Sequence, residues 1–329
     1  MMLIINLHNV VVEPFNIYDR NAAPRIDIHQ FSLAIDWLSK NFELISLDEL
    51  LWQLNKKSVN NRAATLTFDD GYCGVLRHAF PILQERGVNA SVMVVTQALE
   101  SASKLFHFEE LEMAFRMTKA SKLNLPGRPA QPVETVADRM RCLKALKQEL
   151  KLQPEAERRQ NHDLLLQNLG VTREQITEES KKFPVFEKLN GDQLKFLARS
   201  GWTIGSHTRT HRTLSCLNDK EAMQEISDSR DEIQAHLGLT AMPFAYPYGG
   251  PQHIGSRVYD LVAKSGYSCA LTTIRGKNTP DSNIFRLRRI DIEDLLRNQP
   301  EIFDGVEKTR KTSTRGKPDI YEQSSIHYQ

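Results

Sequence analysis

Two adjacent carboxylates, Asp69 and Asp70, interrupt the stretch ATLTFDDGY and are followed at once by Gly71. An Asp-Gly pair alone is only a turn signal. Here an apolar strand pattern runs into it and a helical pattern, YCGVLRHAFPILQERG, follows, so both acids fall at a strand's C-terminal end. Neighbouring side chains on a strand end point in different directions, which lets one carboxylate bind a metal while the other stays free as a base. A second stretch, GSHTRTHRTL, sets His207 and His211 just past another strand. Their four-residue spacing turns both imidazoles toward one point if the chain makes a helical turn there. An HxxxH pair by itself is more often incidental than metal-binding. Joined to a strand-end carboxylate it completes two histidines and one acid, the open three-ligand set of hydrolytic zinc sites, with the fourth position left for water. A third stretch, MPFAYPYGG, carries Pro247 and two glycines that fix a tight loop able to aim the backbone N–H of Tyr248 at a developing oxyanion. Standing alone, that loop would read as a proline-stiffened turn with packing tyrosines.

These residues need a scaffold that gathers strand ends. Seven short apolar or β-branched runs recur: LIINLHNVV (3–11), ATLTF (64–68), ASVMVV (90–95), WTIGSH (202–207), FAYPYG (244–249), CALTTI (269–274) and FRLRRIDI (285–292). Most gaps carry helical periodicity; DIHQFSLAIDWLSK and DKEAMQEISDSRDEIQAHLG both repeat apolar residues at three- and four-residue spacing, the second ending on a glycine cap. Strands alternating with amphipathic helices predict a parallel α/β sheet, and seven such units predict closure into a distorted (β/α)7, TIM-like barrel. Chemistry in that architecture gathers at C-terminal strand ends. The barrel is expected over residues 1–300, interrupted at about 101–190 by a stretch with no convincing strand. There FEELEMAFRMTKA, ETVADRMRCLKALKQEL and EAERRQNHDLLLQNLG read as helices punctuated by Pro126, Gly127, Pro132 and Pro154. Such a helical insertion either forms a lid or covers one flank, with His107 and Phe108 its candidate contacts to the cleft. Residues 301–329 are polar, without hydrophobic pattern, and are expected to fray.

Composition bounds the partners. The chain has 329 residues, 40% hydrophobic and 26% charged, with a net charge of +2, an ordinary enzyme-like surface that points to neither nucleic acid nor membrane. Its longest apolar runs are strand-length, well short of a transmembrane span. The four cysteines, Cys73, Cys142, Cys216 and Cys269, are scattered and form no CxxC pair, which suits a reducing compartment. With no basic n-region or small-residue cleavage site at its start, the chain is expected to be cytoplasmic.

Together the motifs resemble those of the polysaccharide deacetylases, carbohydrate esterase family 4 or the NodB-homology domain, over residues 1–100 and 190–292. TFDDG matches the family's first motif, which implies Asp69 as catalytic base and Asp70 as metal ligand. HTRTH matches its H-[ST]-x-x-H motif and implies His207 and His211 as the other ligands. AYPY matches the R-x-P-Y motif only in part, because Ala245 stands where the family has the arginine that orients the base. The family's C-terminal L-x-H motif, which supplies a catalytic acid, is missing after FRLRRIDI.

Two residues are candidates for those gaps. His8, in LIINLHNV, read alone is a core histidine satisfied by one hydrogen bond. Some members of the family, poly-N-acetylglucosamine deacetylases among them, are circularly permuted and carry the acid histidine on the first strand, which implies His8 as the acid. A closed barrel makes its first and last strands neighbours wherever the chain is cut, and imidazole changes charge near neutral pH, as protonation of a leaving amine requires. Arg289 is the candidate for the absent arginine, with Arg286 and Arg288 as alternatives. The resemblance implies metal-dependent amide hydrolysis that releases acetate from an N-acetylated sugar or glycan precursor, and the expected cytoplasmic location suggests a nucleotide- or lipid-linked one. Zinc is the first expectation for the ion, with cobalt, nickel and ferrous iron as alternatives. A deformylase or small-molecule amidohydrolase on the same scaffold is the nearer rival, and a non-catalytic glycan-binding barrel the more distant one.

Overall fold

The computed structural model describes residues 2–12, 25–57, 60–100 and 104–299; the expected frayed tail lies outside them. Seven strands run in chain order around a ring: β1 (Leu3–Leu7), β2 (Ala63–Phe68), β3 (Ser91–Val94), β4 (Thr203–Ser206), β5 (Phe244–Ala245), β6 (Ala270–Arg275) and β7 (Leu287–Asp291). Each pairs in parallel with the next, and β1 pairs with both β2 and β7, so the sheet closes. This is the (β/α)7 barrel expected from the seven runs. A two-residue strand, Glu43–Leu44, adds to the start of β2 outside the ring. All five residues of β1 and all six of β2 are buried, as strands covered on both faces must be.

The helices used below are α1 (Ile28–Asn41), α2 (Leu47–Lys56), α3 (Phe80–Glu85), α4 (His107–Met117), α5 (Val136–Leu150), α6 (Glu155–Leu169), α7 (Arg173–Ser180), α8 (Gly191–Arg199), α9 (Asp219–Leu237), α10 (Ser256–Lys264) and α11 (Ile292–Asn298). Side chains make the starts and stops. Asp27 caps α1 by accepting from His29 N at 2.8 Å. Asn218 and Glu221 cap α9 reciprocally, and Gly238, at φ 69°, ends it. Leu47, Leu50 and Leu54 of α2 join Ile4, Ala63, Met93, Ala245, Leu271 and Leu287, which come from six different barrel strands. Side chains from six strands of one ring meet only through its interior, so this cluster fills the barrel.

Between β3 and β4 the chain leaves the ring for α4 to α7, which pack around a core of their own including Leu111, Phe115, Leu143, Leu146, Leu165 and Ile176. This region, expected to be free of strands, contains one short antiparallel pair, Lys122–Leu123 with Gln131–Pro132. Two-residue strands carry too little pattern to be read from sequence. No helix among the described residues is long and apolar enough to cross a membrane.

Candidate active site

The site is built at the C-terminal ends of β1, β2, β4, β5 and β7. Beyond Phe68 the chain stays tied to β1 for one more residue, Asp69 N donating to Leu7 O at 2.9 Å, so Asp69 stands beside the position His8 occupies. The Asp69 carboxylate receives Arg289 through both oxygens, at 2.9 and 2.6 Å, and the paired side chains are 2% and 1% exposed. Arg289 is aimed from β7 by bonds from Nε to Thr272 O (2.8 Å) and from its guanidinium to Thr67 Oγ1 (3.2 Å). Burial alone would raise the Asp69 pKa. The Arg289 guanidinium outweighs it, with His207 and His8 in smaller parts, and holds the carboxyl below its ordinary value. Arg286 lies 4.1 Å over the Tyr259 ring and Arg288 reaches Arg275 O at 3.4 Å, so Arg289 is the arginine on Asp69.

Asp70 turns the other way because its φ is +72°, with Gly71 at +71° completing the turn. Five non-glycine residues have positive φ among those described. Four of them, Asp70, Thr208, His211 and Tyr248, sit in the loops of this site. A left-handed conformation costs an L-residue about 1–2 kcal/mol, so the surrounding contacts must impose it. Around the histidines they do. Thr210 N donates to Glu225 Oε2 at 2.8 Å and Thr210 Oγ1 to the other oxygen, Arg209 N donates to Glu225 O at 3.2 Å, and His211 N donates to Thr208 Oγ1 at 3.1 Å. The segment 207–211 is therefore a braced loop and not the helical turn that the spacing predicts. Both imidazoles still converge, by a different backbone path.

Asp70 Oδ1 lies 3.5 Å from His207 Nε2 and 3.3 Å from His211 Nε2, and one ligand atom from each residue falls within 4.8 Å of the others. His207 Nδ1 sits 2.8 Å from Ala245 O, which assigns the proton to that nitrogen and leaves Nε2 as a lone-pair donor. Burial lowers the His207 pKa to about 4, so the ring is neutral at physiological pH. For Asp70, burial works upward, but the His211 imidazole beside it prevails and the carboxyl falls well below its ordinary range. Asp70 Oδ1 is buried without a hydrogen-bond partner. An orphaned carboxylate oxygen facing two imidazole nitrogens is a donor set that fits a divalent cation.

The β5 loop supplies the remaining feature. Tyr248 has φ +60°, its carbonyl accepts from Thr273 Oγ1 at 2.8 Å, and its N–H has no acceptor among the described residues. Gly249, at φ +57°, lies so close to β6 that a Cβ there would meet Thr273 N at 2.5 Å. His8 is half-buried, with a buried Nδ1 that has no hydrogen-bond partner.

The helices between β3 and β4 reach the candidate ligands directly. Phe108 meets His211 at 5.4 Å between centroids, and His107 Nε2 lies 3.4 Å from Tyr248 Oη, so both sequence candidates touch the site. Phe106, which sequence reasoning passes over, stacks on His211 at 5.5 Å and 20°. Glu225 was missed as well. Its signal was available, since the buried face of α9 runs Ala222, Glu225, Ile226, Ser229, Ile233, and an acid on an apolar stripe needs a partner.

The polysaccharide deacetylase family model matches residues 56–122 and 165–270, more than half of the chain. The chain belongs to the polysaccharide deacetylase family. A match to the Bacillus subtilis (strain 168) protein YxkH is 26% identical over 104 residues, 32% of this chain and only 36% of that protein. Among solved structures, the Streptococcus pyogenes deacetylase PplD in complex with acetate superposes with a TM-score of 0.57 at 17% identity, covering 90% of this chain and 96% of that one. IcaB from Ammonifex degensii gives 0.53 at 17% identity, covering 88% and 91%. At such identities the structural likeness establishes the shared fold.

Proposed function

We propose that the protein is a metal-dependent carbohydrate N-deacetylase that hydrolyses the acetamide of an N-acetylated sugar or glycan and releases acetate. The observation that carries this reading is Asp69, a buried carboxylate kept ionised by a bidentate arginine beside a two-histidine, one-aspartate donor set. Asp70, His207 and His211 would hold the ion, zinc by the donor types, with cobalt, nickel or ferrous iron accepting the same set. When bound, such an ion supplies Lewis acidity that polarises the acyl carbonyl and acidifies water.

The chain's own residues divide the rest. Asp69 accepts the proton of the attacking water as the water oxygen bonds to the acyl carbon. Arg289 keeps that carboxylate ionised and in place. The Tyr248 N–H donates to the oxygen on which negative charge develops. His8 gives a proton to the nitrogen as the C–N bond breaks, so one water and one amide become acetate and a free amine. The test is product stoichiometry on N-acetyl and N-formyl glucosamine substrates. Acetate and amine in equal amounts are expected from the former. Formate release alone would make the protein a deformylase, and no acyl release from any substrate would leave only glycan binding.

A further inference from the structure

Every backbone N–H of residues 207–211 has an acceptor. His207 N donates to Val94 O at 2.8 Å and Thr208 N to Ser206 Oγ at 3.2 Å. Arg209 N donates to Glu225 O at 3.2 Å, Thr210 N to Glu225 Oε2 at 2.8 Å, and His211 N to Thr208 Oγ1 at 3.1 Å. Two of these five donors end on Glu225, and Thr210 Oγ1 reaches the other oxygen of the same carboxylate. Glu225 is 5% exposed and lies on the buried face of α9. Ser229, one turn further along that face, meets Ser206 Oγ at 2.7 Å, so α9 grips the loop at two points. A backbone donor left without an acceptor is costly in the interior, and hydrogen bonds to a carboxylate are among the strong ones.

The two candidate ligands of the loop depend on that grip unequally. His207 follows β4 directly, its N–H is tied to β3 and its ring to Ala245 O, contacts in which Glu225 has no part. His211 stands at φ +59°, and its N–H ends within the loop, on Thr208 Oγ1. Thr208 itself stands at φ +66°. The residue just before His211, Thr210, is fixed through both its N–H and its Oγ1 by the Glu225 carboxylate. Left-handed backbone at two non-glycine residues persists only where contacts impose it. We propose that Glu225 is a positioning residue of the metal centre. Its carboxylate sets the backbone at Thr210 so that His211 Nε2 faces Asp70, and the affinity of the site for a divalent cation depends on it. The proposal rests on the metal reading of Asp70, His207 and His211 and gives a role to a residue outside that set.

The test is zinc affinity, measured on the metal-stripped full-length protein by competition with a chromogenic chelator, well below the melting transition of each variant. Glu225→Leu leaves Thr210 N–H and Oγ1 without their acceptor and should weaken zinc binding about tenfold or more. Glu225→Gln keeps an acceptor for the N–H, and the Thr210 hydroxyl can turn to accept from the new amide. It should stay within about threefold of the parent. Because Glu225 acts through His211, its effect should vanish where that ligand is gone. His211→Ala should therefore bind zinc as weakly as the double variant His211→Ala, Glu225→Leu, to within about threefold. Should Glu225→Leu not fold, Thr210→Val, which drops only the Oγ1 bond, takes its place, with a smaller loss expected in the parent and none beside His211→Ala. Zinc affinity unmoved by the substitution, or lowered by the same factor with and without His211, overturns the proposal while leaving the metal reading intact. No zinc binding by the parent itself would refute the metal reading, and the positioning role with it.

Discussion

Arg289 lies 220 residues along the chain from the carboxylate it holds, and the bond between them decides whether Asp69 can act as a base at neutral pH. A carboxyl this buried would take up a proton readily if its bidentate partner were lost. Because its pKa is depressed in the folded protein, the stability Asp69 contributes is present above the ordinary carboxylate value and is lost as pH falls through the depressed one. Arg289→Lys replaces a planar fork by a single ammonium that cannot span both oxygens. The Asp69 pKa should rise, and the acid limb of the kcat/KM profile should move up by about one pH unit. A limb that stays put would assign the base to another residue. His8 makes a separate prediction. As the acid, it matters in proportion to how badly the leaving group needs a proton, so His8→Ala should cost about 10²-fold or more on an acetamide and far less on an aryl acetate. A core histidine would instead give equal losses on both and a lower melting temperature.

At the scale of elements, a buried ion pair inside the region between β3 and β4 meets the loop that carries Asp69 and Asp70 through Tyr72. Lys188 Nζ lies 2.9 Å from both oxygens of Glu109, both side chains are fully buried, and Tyr72 Oη donates to Glu109 at 2.7 Å. Tyr72 follows Asp70 by two residues, and Phe106, which stacks on His211, donates its N–H to Glu109 at 2.8 Å. Removing one partner leaves a bare charge in the interior, so Lys188→Met should destabilise by about 3–5 kcal/mol. Adding Glu109→Gln removes the other charge while keeping an acceptor for Tyr72 and Phe106. The double variant should therefore recover a substantial part of the loss in urea unfolding. A double variant no better than the single one would mean the pair itself is not what holds these elements. The strands of the barrel were legible because each is a short apolar run bounded by turn residues. Among the three arginines the sequence leaves open there, the burial alternation of β7, buried Leu287, exposed Arg288, buried Arg289, turns Arg289 inward. The path of 207–211 was not legible, because positive φ at Thr208 and His211 is imposed by Glu225 and not written in residue types that favour it. The contact of Phe106 with His211 joins segments more than a hundred residues apart and leaves no local trace.

Over the whole molecule, ring closure makes the site. The proposed ligands come from the ends of β2 and β4, the proposed base from β2, its arginine from β7, the candidate backbone donor from β5 and the candidate acid from β1, and only a closed parallel barrel brings those ends to one mouth. The central claim is that this mouth holds one catalytic divalent ion. Its most direct test is to strip the full-length protein of metal, verify this by elemental analysis, and titrate zinc back while measuring both bound metal and acetate released from an N-acetylated sugar. Acetate release should be absent at the start, rise in proportion to bound zinc and saturate at one ion per chain, with His207→Ala binding little metal and staying inactive. Full activity in the verified metal-free protein, or undiminished zinc binding by His207→Ala, would contradict it.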